Sequence, residues 1–410
     1  MVSHSFELSK MSILHKKTKD ESMLDALKGQ PAEVQQDAGY ADTLQEILQQ
    51  PATWQGTFDL LRGAAARQRL AKALGSQPGH VVLTGSGSSM YIGETLAPLL
   101  QSGLGVPVQA IAAGTLLTHG SSVLPPGPGL LVSLARSGDS PESAGVVSAL
   151  LAHAPAWRHL VITCNANGKL ATLYRDDPRV TVLVLDERTN DRSLVMTSSF
   201  TNLLLGGMGL LNDTRAALTA NDVTRAASGV QRIFDTQSDA LASLAQRDIT
   251  SAVYLGSGAA FGAAREGALK MLEMTGGKVV TLAETFLGLR HGPMSFIQPS
   301  TVIVALLSPD PAVRQYECDV LRELSRKQLG MAKIVVGDDV PADVPGATDV
   351  CITPSVSRSD TEMPSILAGV VVAQSLAFFR CLALGGRPDA PSQGVLTRVV
   401  EDFAIHGVSQ

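Results

Sequence analysis

The sequence predicts two tandem three-layer α/β domains, each built on a parallel sheet, and three observations carry that expectation. Short apolar runs recur near 81–84, 130–134, 160–164 and 180–185, then near 252–255, 301–307, 332–336 and 350–353. One pattern is thus repeated about 170 positions further on, the mark of an internal duplication. The runs do not alternate apolar with polar residues, which suits strands covered on both faces. Between them lie Ala- and Leu-rich stretches of helical length, such as 91–101, 143–152 and 259–275. Strands alternating with helices imply right-handed crossovers and a parallel sheet in each half.

The element order divides the chain into four parts. Residues 1–51 read as a leader of mixed charge, mobile to about 40, followed by a helix that Pro51 stops. Residues 52–215 form the first α/β domain and open on a helical pattern over 55–78, with Leu60, Leu61, Ala64 and Ala65 on one face. Residues 225–385 form the second domain, and 386–410 a C-terminal tail.

With 410 residues, 45% of them hydrophobic and 17% charged, the chain has enough apolar material for two full cores and too little charge for general disorder. A net charge of −5 argues against a nucleic-acid footprint, which needs clustered Lys and Arg. Cys164, Cys318, Cys351 and Cys381 form no CxxC pair and read as small buried hydrophobes. The first twenty residues carry no apolar signal-peptide core. The longest apolar stretch, 366–379, is broken by Gln374-Ser375 and falls short of the roughly 20 residues a membrane span needs, so a core helix and a cytoplasmic protein are expected.

Chemistry is sought in the loops after the strands. Gly85-Ser86-Gly87-Ser88-Ser89 follows the first run, where glycine allows close backbone approach and a helix start offers N–H groups to an anion. The turn departs from GxGxxG at Met90, and by itself a Gly/Ser turn is more often structural. Arg136-Ser137-Gly138-Asp139-Ser140 says more. An arginine, two hydroxyls and a glycine lie between a buried strand and a helix, where open parallel sheets bind ligands. Capping by Asp139 or Ser140 explains one residue of that set but not Arg136 with Ser137. The second half has its own turn, Gly256-Ser257-Gly258, yet at the matching offset it carries Ser308-Pro309-Asp310-Pro311 with no basic loop. Duplicated halves with only one anion loop point to one composite site.

Downstream of the second turn, Glu266, Lys270 and Glu273 share one helical face at i, i+4 and i+7. Such spacing ordinarily describes solvated ion pairs, although Gly267 and Ala268 are small enough for close packing. His291 stands in the Gly/Pro-punctuated loop Leu289-Arg290-His291-Gly292-Pro293.

Taken in order, Glu46-Ile47 with Gln50-Pro51, the glycine–serine turn, the Arg-Ser-Gly-x-Ser loop, Glu-Gly-Ala-Leu-Lys with Glu273, and Arg-His-Gly-Pro resemble the double sugar-isomerase (SIS) domain proteins over about 43–405. Arg136, the run Val195-Met196-Thr197-Ser198-Ser199 and the tail around Arg398 and Ile405-His406 make the chain similar to the AgaS type of galactosamine-6-phosphate deaminase/isomerase. The resemblance implies a 6-phosphosugar gripped by Ser88, Ser89, Arg136, Ser137 and Ser140, with Thr197 and Ser198 also at the substrate. It implies that Glu273 is the enolising carboxylate and that Lys270 assists it. It implies that His291 opens the ring from the neighbouring subunit of at least a homodimer. The glucosamine-6-phosphate synthases of the family carry an N-terminal glutaminase, for which Met1-Val2-Ser3 leaves no room, and a Schiff-base lysine where Arg398 stands here. Arginine stays protonated and cannot form that adduct, so ammonia release is expected over amination.

The expected reaction is deamination with isomerisation of a 2-amino-2-deoxyhexose 6-phosphate, galactosamine 6-phosphate first, to tagatose 6-phosphate and ammonia, with no metal or organic cofactor required. The rivals are aldose–ketose isomerisation, deamination of glucosamine 6-phosphate, and a non-catalytic phosphosugar sensor. Regulators of that last kind carry a basic helix-turn-helix region before a single domain, which residues 1–50 do not show.

Overall fold

The computed structural model describes residues 21–356, 361–392, 394–398 and 404–406. Among them ten strands form two five-stranded sheets. The first holds β1 (His80–Thr84), β2 (Val108–Ala110), β3 (Gly129–Ala135), β4 (Arg158–Thr163) and β5 (Val180–Val184) in the order β2-β1-β3-β4-β5. The second holds β6 (Ser251–Leu255), β7 (Val280–Glu284), β8 (Thr301–Leu306), β9 (Ala332–Val336) and β10 (Val350–Ile352) in the order β10-β9-β8-β6-β7. Every pairing is parallel. Matched one to one, the two orders are the same. The repeat extends to single backbone angles: Gly87 sits at φ 56°, ψ −129° and Gly258 at φ 55°, ψ −126°, each opening the helix after its turn.

The eight apolar runs all become strands, and each sheet gains one edge strand that hydrophobicity did not mark. Val108-Gln109-Ala110 is only three residues long, and β7 is half-exposed or exposed along its whole length. An edge strand buries too little to need a continuous apolar run.

The chain forms two compact units that interleave in sequence. Among the described residues, the first-sheet unit comprises Ala52–Asp191, Ser198–Val223 and those from Thr397 on; the second-sheet unit comprises those up to Pro51, Arg192–Thr197 and those within Thr224–Leu396. Residues 21–40 differ from the mobile leader expected of them. Met23–Lys28 and Ala32–Ala38 are helices, with Met23, Leu24 and Leu27 buried. They are tied down by the Met23 N–H donating to Asp239 Oδ1 at 2.8 Å and the buried Tyr40 hydroxyl donating to the Leu27 carbonyl at 3.2 Å. Pro51 lies in the first turn of the next helix, Gln50–Arg62, where a proline needs no N–H partner, so it opens that helix as the preceding one ends at Leu48.

In the second-sheet unit the apolar stretch becomes the 21-residue helix Met363–Ala383, long and apolar enough to cross a membrane but buried in the fold against the Ala259–Met274 helix. Cys164, Cys318 and Cys381 are buried as expected, whereas Cys351, on edge strand β10, is exposed.

One core residue makes the first sheet acid-sensitive. His159, on β4 between Leu131 and Val180 of its neighbours, is fully buried, and neither ring nitrogen has a hydrogen-bond partner. Burial, reinforced by the Arg179 charge and opposed by Asp177, pushes its pKa down to about 4. A folded-state value below the unfolded one means that protons favour the unfolded chain. The native state keeps its full stability above pH ~6.5 and loses about 3 kcal/mol as pH falls to ~4, at about 1.4 kcal/mol per unit. Urea unfolding between pH 4 and 7 should show that slope in the wild type and not in His159→Phe. Parallel curves for the two proteins would assign the acid sensitivity elsewhere.

Candidate active site

At the carboxyl end of β1 the chain turns so tightly that a Cβ on Gly85 would fall 2.5 Å from the Ser89 Cβ. The left-handed Gly87 then starts the Ser88–Leu104 helix, which no side chain caps. Ser88 and Ser89 occupy its first turn and are buried.

Beside it, at the end of the central strand β3, Arg136 to Ser140 form a loop pinned from below. The Asn165 side-chain amide donates to the Ser137 carbonyl at 2.9 Å and the Thr163 hydroxyl to the Arg136 carbonyl at 3.3 Å. Gly138 is left-handed at φ 72°. A Cβ on Gly168 would lie 2.0 Å from the Ser137 oxygen, so only glycine lets the 165–168 turn come this close. Asp139 is occupied elsewhere, its carboxylate accepting the Lys169 N–H at 3.0 Å. Ser140 holds the N-cap position of the Pro141–His153 helix but makes no capping bond; its hydroxyl donates to Glu142 Oε2 at 2.6 Å. Capping therefore does not account for the loop. Arg136 stays at the sheet's carboxyl end, where its charge pulls down the Cys164 pKa that burial raises to about 12. Arg398 acts on Cys164 in the same sense, and its guanidinium donates to Asn190 Oδ1 at 2.7 Å.

Thr197 and Ser198 have no exposed surface. The Thr197 hydroxyl donates to Glu46 at 3.5 Å, and Ser198 and Ser199 give theirs to the two oxygens of Asp191. These positions hold the chain where it passes from one unit to the other and back. Glu46 further accepts the Ser193 N–H at 3.1 Å.

In the second-sheet unit the Ala259–Met274 helix carries Glu266, Lys270 and Glu273, and the solvated face that their spacing describes is not what forms. A Cβ on Gly267 would lie 2.7 Å from the Tyr254 ring and 2.9 Å from the Ala373 Cβ, so the helix sits directly on β6 and on Met363–Ala383. That approach buries Lys270 and Glu266, each with a side chain 1% exposed, and leaves Glu273 at 22%. The Lys270 ammonium lies 3.4 Å from Glu266 Oε1 and bonds Glu273 Oε2 directly. One buried cation thus joins an inner carboxylate to an outer one, and only the outer one reaches solvent.

His291 stands on an exposed turn after Phe286–Leu289, its N–H bonded to the Gly288 carbonyl at 2.9 Å and its ring open to solvent. Gly292 follows at φ 119°, and Arg290 pairs with Glu323 at 2.8 Å. The residues that escaped sequence reading are supports: Asn165, Gly168 and Asp191; Glu46, noted there only as part of the opening motif, is a fourth support. Only the Asn165-Ala166-Asn167-Gly168 run carried a signal, a turn composition directly after a strand.

Two parallel sheets of one strand order, with a Gly-Ser-Gly turn after each first strand and an arginine–serine loop in one half only, define a tandem sugar-isomerase-domain protein. No protein-family model matches the chain. An AgaS protein of Streptomyces coelicolor is 37% identical over 388 residues, covering 92% of this chain and 99% of that one. The D-galactosamine-6-phosphate deaminase AgaS of Escherichia coli is 34% identical over 370 residues, covering 89% and 95%. The crystal structure of tagatose-6-phosphate ketose/aldose isomerase from Escherichia coli superposes with a TM-score of 0.80 at 30% identity, covering 90% of this chain and 97% of that one. The chain belongs to the AgaS family.

The buried ion triad makes a stability prediction. Removing one partner of a buried pair strands the other charge and costs about 3–5 kcal/mol. Lys270→Ala should lose that much in denaturant unfolding, and the Lys270→Met/Glu266→Gln pair should recover most of it. A loss below about 1 kcal/mol for Lys270→Ala would mean that water reaches the triad.

Proposed function

We propose that the protein converts galactosamine 6-phosphate to tagatose 6-phosphate and ammonia. The observation that carries this reading is the partly exposed carboxylate of the triad, Glu273, held by a buried ammonium in a chain whose relatives bear the names of that deaminase. Ser88, Ser89, Arg136, Ser137 and Ser140 take the phosphate through charge-assisted bonds and fix the sugar's register. His291 moves a proton between O1 and the ring oxygen, which opens the hemiacetal to the C1 aldehyde. Glu273 removes the C2 proton, acidified by that aldehyde, and delivers it to C1. The C1–C2 enolamine so becomes a C2 imine beside a C1 alcohol. Water adds to the imine carbon, and ammonia leaves to give the ketone. Lys270 holds the Glu273 carboxylate in place while its charge changes, and Glu266, with its side chain almost wholly buried, serves as counter-charge.

Plain aldose–ketose isomerisation needs the same base and the same proton transfer without the amine, and the name of the superposed Escherichia coli structure favours it as the second reading. The two separate on one measurement. Wild-type protein given galactosamine 6-phosphate should release one ammonia per ketose formed, and Glu273→Gln should cut turnover by about 10² or more and abolish solvent-deuterium exchange at C2. Isomerisation of phosphorylated aldoses with no ammonia from the amino sugar would select the second reading, and near-normal exchange in Glu273→Gln would remove Glu273 as the base.

His291 acts across a homodimer in this proposal. Symmetric closed dimers let each chain lend a residue to the other's site. Mixing inactive Arg136→Ala/Glu273→Gln chains with inactive His291→Ala chains should therefore restore activity. One site of the mixed dimer keeps its phosphate loop and base and receives the partner's histidine. No activity despite demonstrated subunit exchange would place His291 in its own chain's site or outside the chemistry.

A further inference from the structure

The second-sheet unit repeats the backbone of the anion-binding end but not its contents. Gly256-Ser257-Gly258 leaves β6 as Gly85-Ser86-Gly87 leaves β1, and Ser308-Pro309-Asp310 leaves β8 where the arginine loop leaves β3. Each loop ends in a proline that opens a helix, Pro141–His153 in one half and Pro311–Arg326 in the other. Six residues past that proline the first helix has Val147, buried in the apolar core, and the second has Glu317.

Glu317 is 1% exposed, and its carboxylate turns back onto the loop. Oε2 accepts the Ser308 N–H at 2.8 Å, and the Ser257 hydroxyl is its side-chain hydrogen-bond partner. Arg314, one turn earlier on the same helix, donates to the Ser308 and Pro309 carbonyls at 3.3 Å each and acts electrostatically on the Glu317 carboxylate. A backbone N–H thus bonds one oxygen of a buried carboxylate, the Ser257 hydroxyl and the Arg314 guanidinium lie near it, and its other oxygen, Oε1, has no hydrogen-bond partner among the described residues. Those are the donor types that the first half presents in the Arg136–Ser140 loop and the Ser88-Ser89 turn.

We propose that the carboxyl end of β6 and β8 is a second oxyanion cradle whose resident anion is the Glu317 carboxylate. The chain fills this cradle from within and so holds one phosphate site rather than two. A buried glutamate that accepts one loop N–H serves local structure in any protein. Here it stands where the duplicated backbone has its other anion site, with the same three kinds of donor around it. Burial and the nearby Glu362 carboxylate raise the Glu317 pKa, while Ser308 and Ser257 oppose them by bonding the charged form. These two donors favour the charged carboxylate, although burial keeps the net shift upward.

The inference rests on reading the Arg136 loop as a phosphate site, and the test separates the two. Melting temperature is measured in sodium phosphate, sodium acetate and sodium chloride at matched ionic strength, all in an Arg136→Ala background. With Glu317→Ala added, phosphate and acetate should give a saturable rise of about 3 °C or more over chloride, as a bound ligand does. Arg136→Ala alone and Arg136→Ala/Glu317→Gln, whose amide still fills the space, should show no such rise. If the Glu317→Ala protein does not accumulate in soluble form, its refolding yield in phosphate against chloride reads the same property. An equal response in all three proteins, or none in Glu317→Ala by either measure, overturns the second cradle. An Arg136→Ala protein that still responds to phosphate as wild type does would instead count against the first loop as the phosphate site.

Discussion

The approach of the Ala259–Met274 helix to the second sheet governs which charges of that unit are buried. At Gly267 the helix has no side chain, and the Tyr254 ring and Ala373 occupy the space a Cβ would take. Three and six residues further along the same helix, Lys270 and Glu273 share the consequence: the lysine is sealed off and the glutamate is left at the edge. A lysine in that position has lost its water and must find carboxylates, and it finds one on either side. Ground-state order at Glu273 therefore comes from burial one turn away. A carboxylate fixed in this way has little orientational freedom left to lose.

The duplication produces two copies of a backbone and only one arginine–serine loop. Strand order, glycine turns and the proline that opens the next helix are common to both halves. The difference lies in few side chains. Arg136, Ser137 and Ser140 in one half correspond in position to Ser308, Asp310 and the inward-turned Glu317 region in the other. Divergence of a few loop residues leaves both cores intact, because the loops lie outside the strands that build the cores.

Amine loss and plain isomerisation share their first chemical event, removal of the C2 proton next to an aldehyde. They differ only in what becomes of the substituent on C2. A carbonyl formed there from an alcohol is stable, whereas an imine formed from an amine takes up water and releases ammonia. One carboxylate in one place is therefore compatible with both names found among the relatives, and the substrate's own C2 substituent decides the outcome.

Much of this was legible from the residues alone. The eight apolar runs, their repeat and the loop positions gave both sheets, since buried parallel strands must be apolar on both faces. The Arg136–Ser140 loop stood out because capping needs one polar residue and this loop has several. The ordered motifs sufficed for the family. What sequence could not give was burial. Spacing at i, i+4 and i+7 is the same for a solvated ion-pair face and for a buried triad, and only the packing of Gly267 on β6 distinguishes them. Edge strands β2 and β7, half out of the core, had no apolar signature, and the helices at 23–38 were hidden by their polar surroundings until Asp239 and Tyr40 tied them down. The resemblance puts Thr197 and Ser198 at the substrate, and the fold shows each hydroxyl donating to a carboxylate, a pairing that the residues alone did not signal. Local pattern determined which elements form; desolvation, which depends on what lies opposite in three dimensions, decided which polar groups remain available to a substrate.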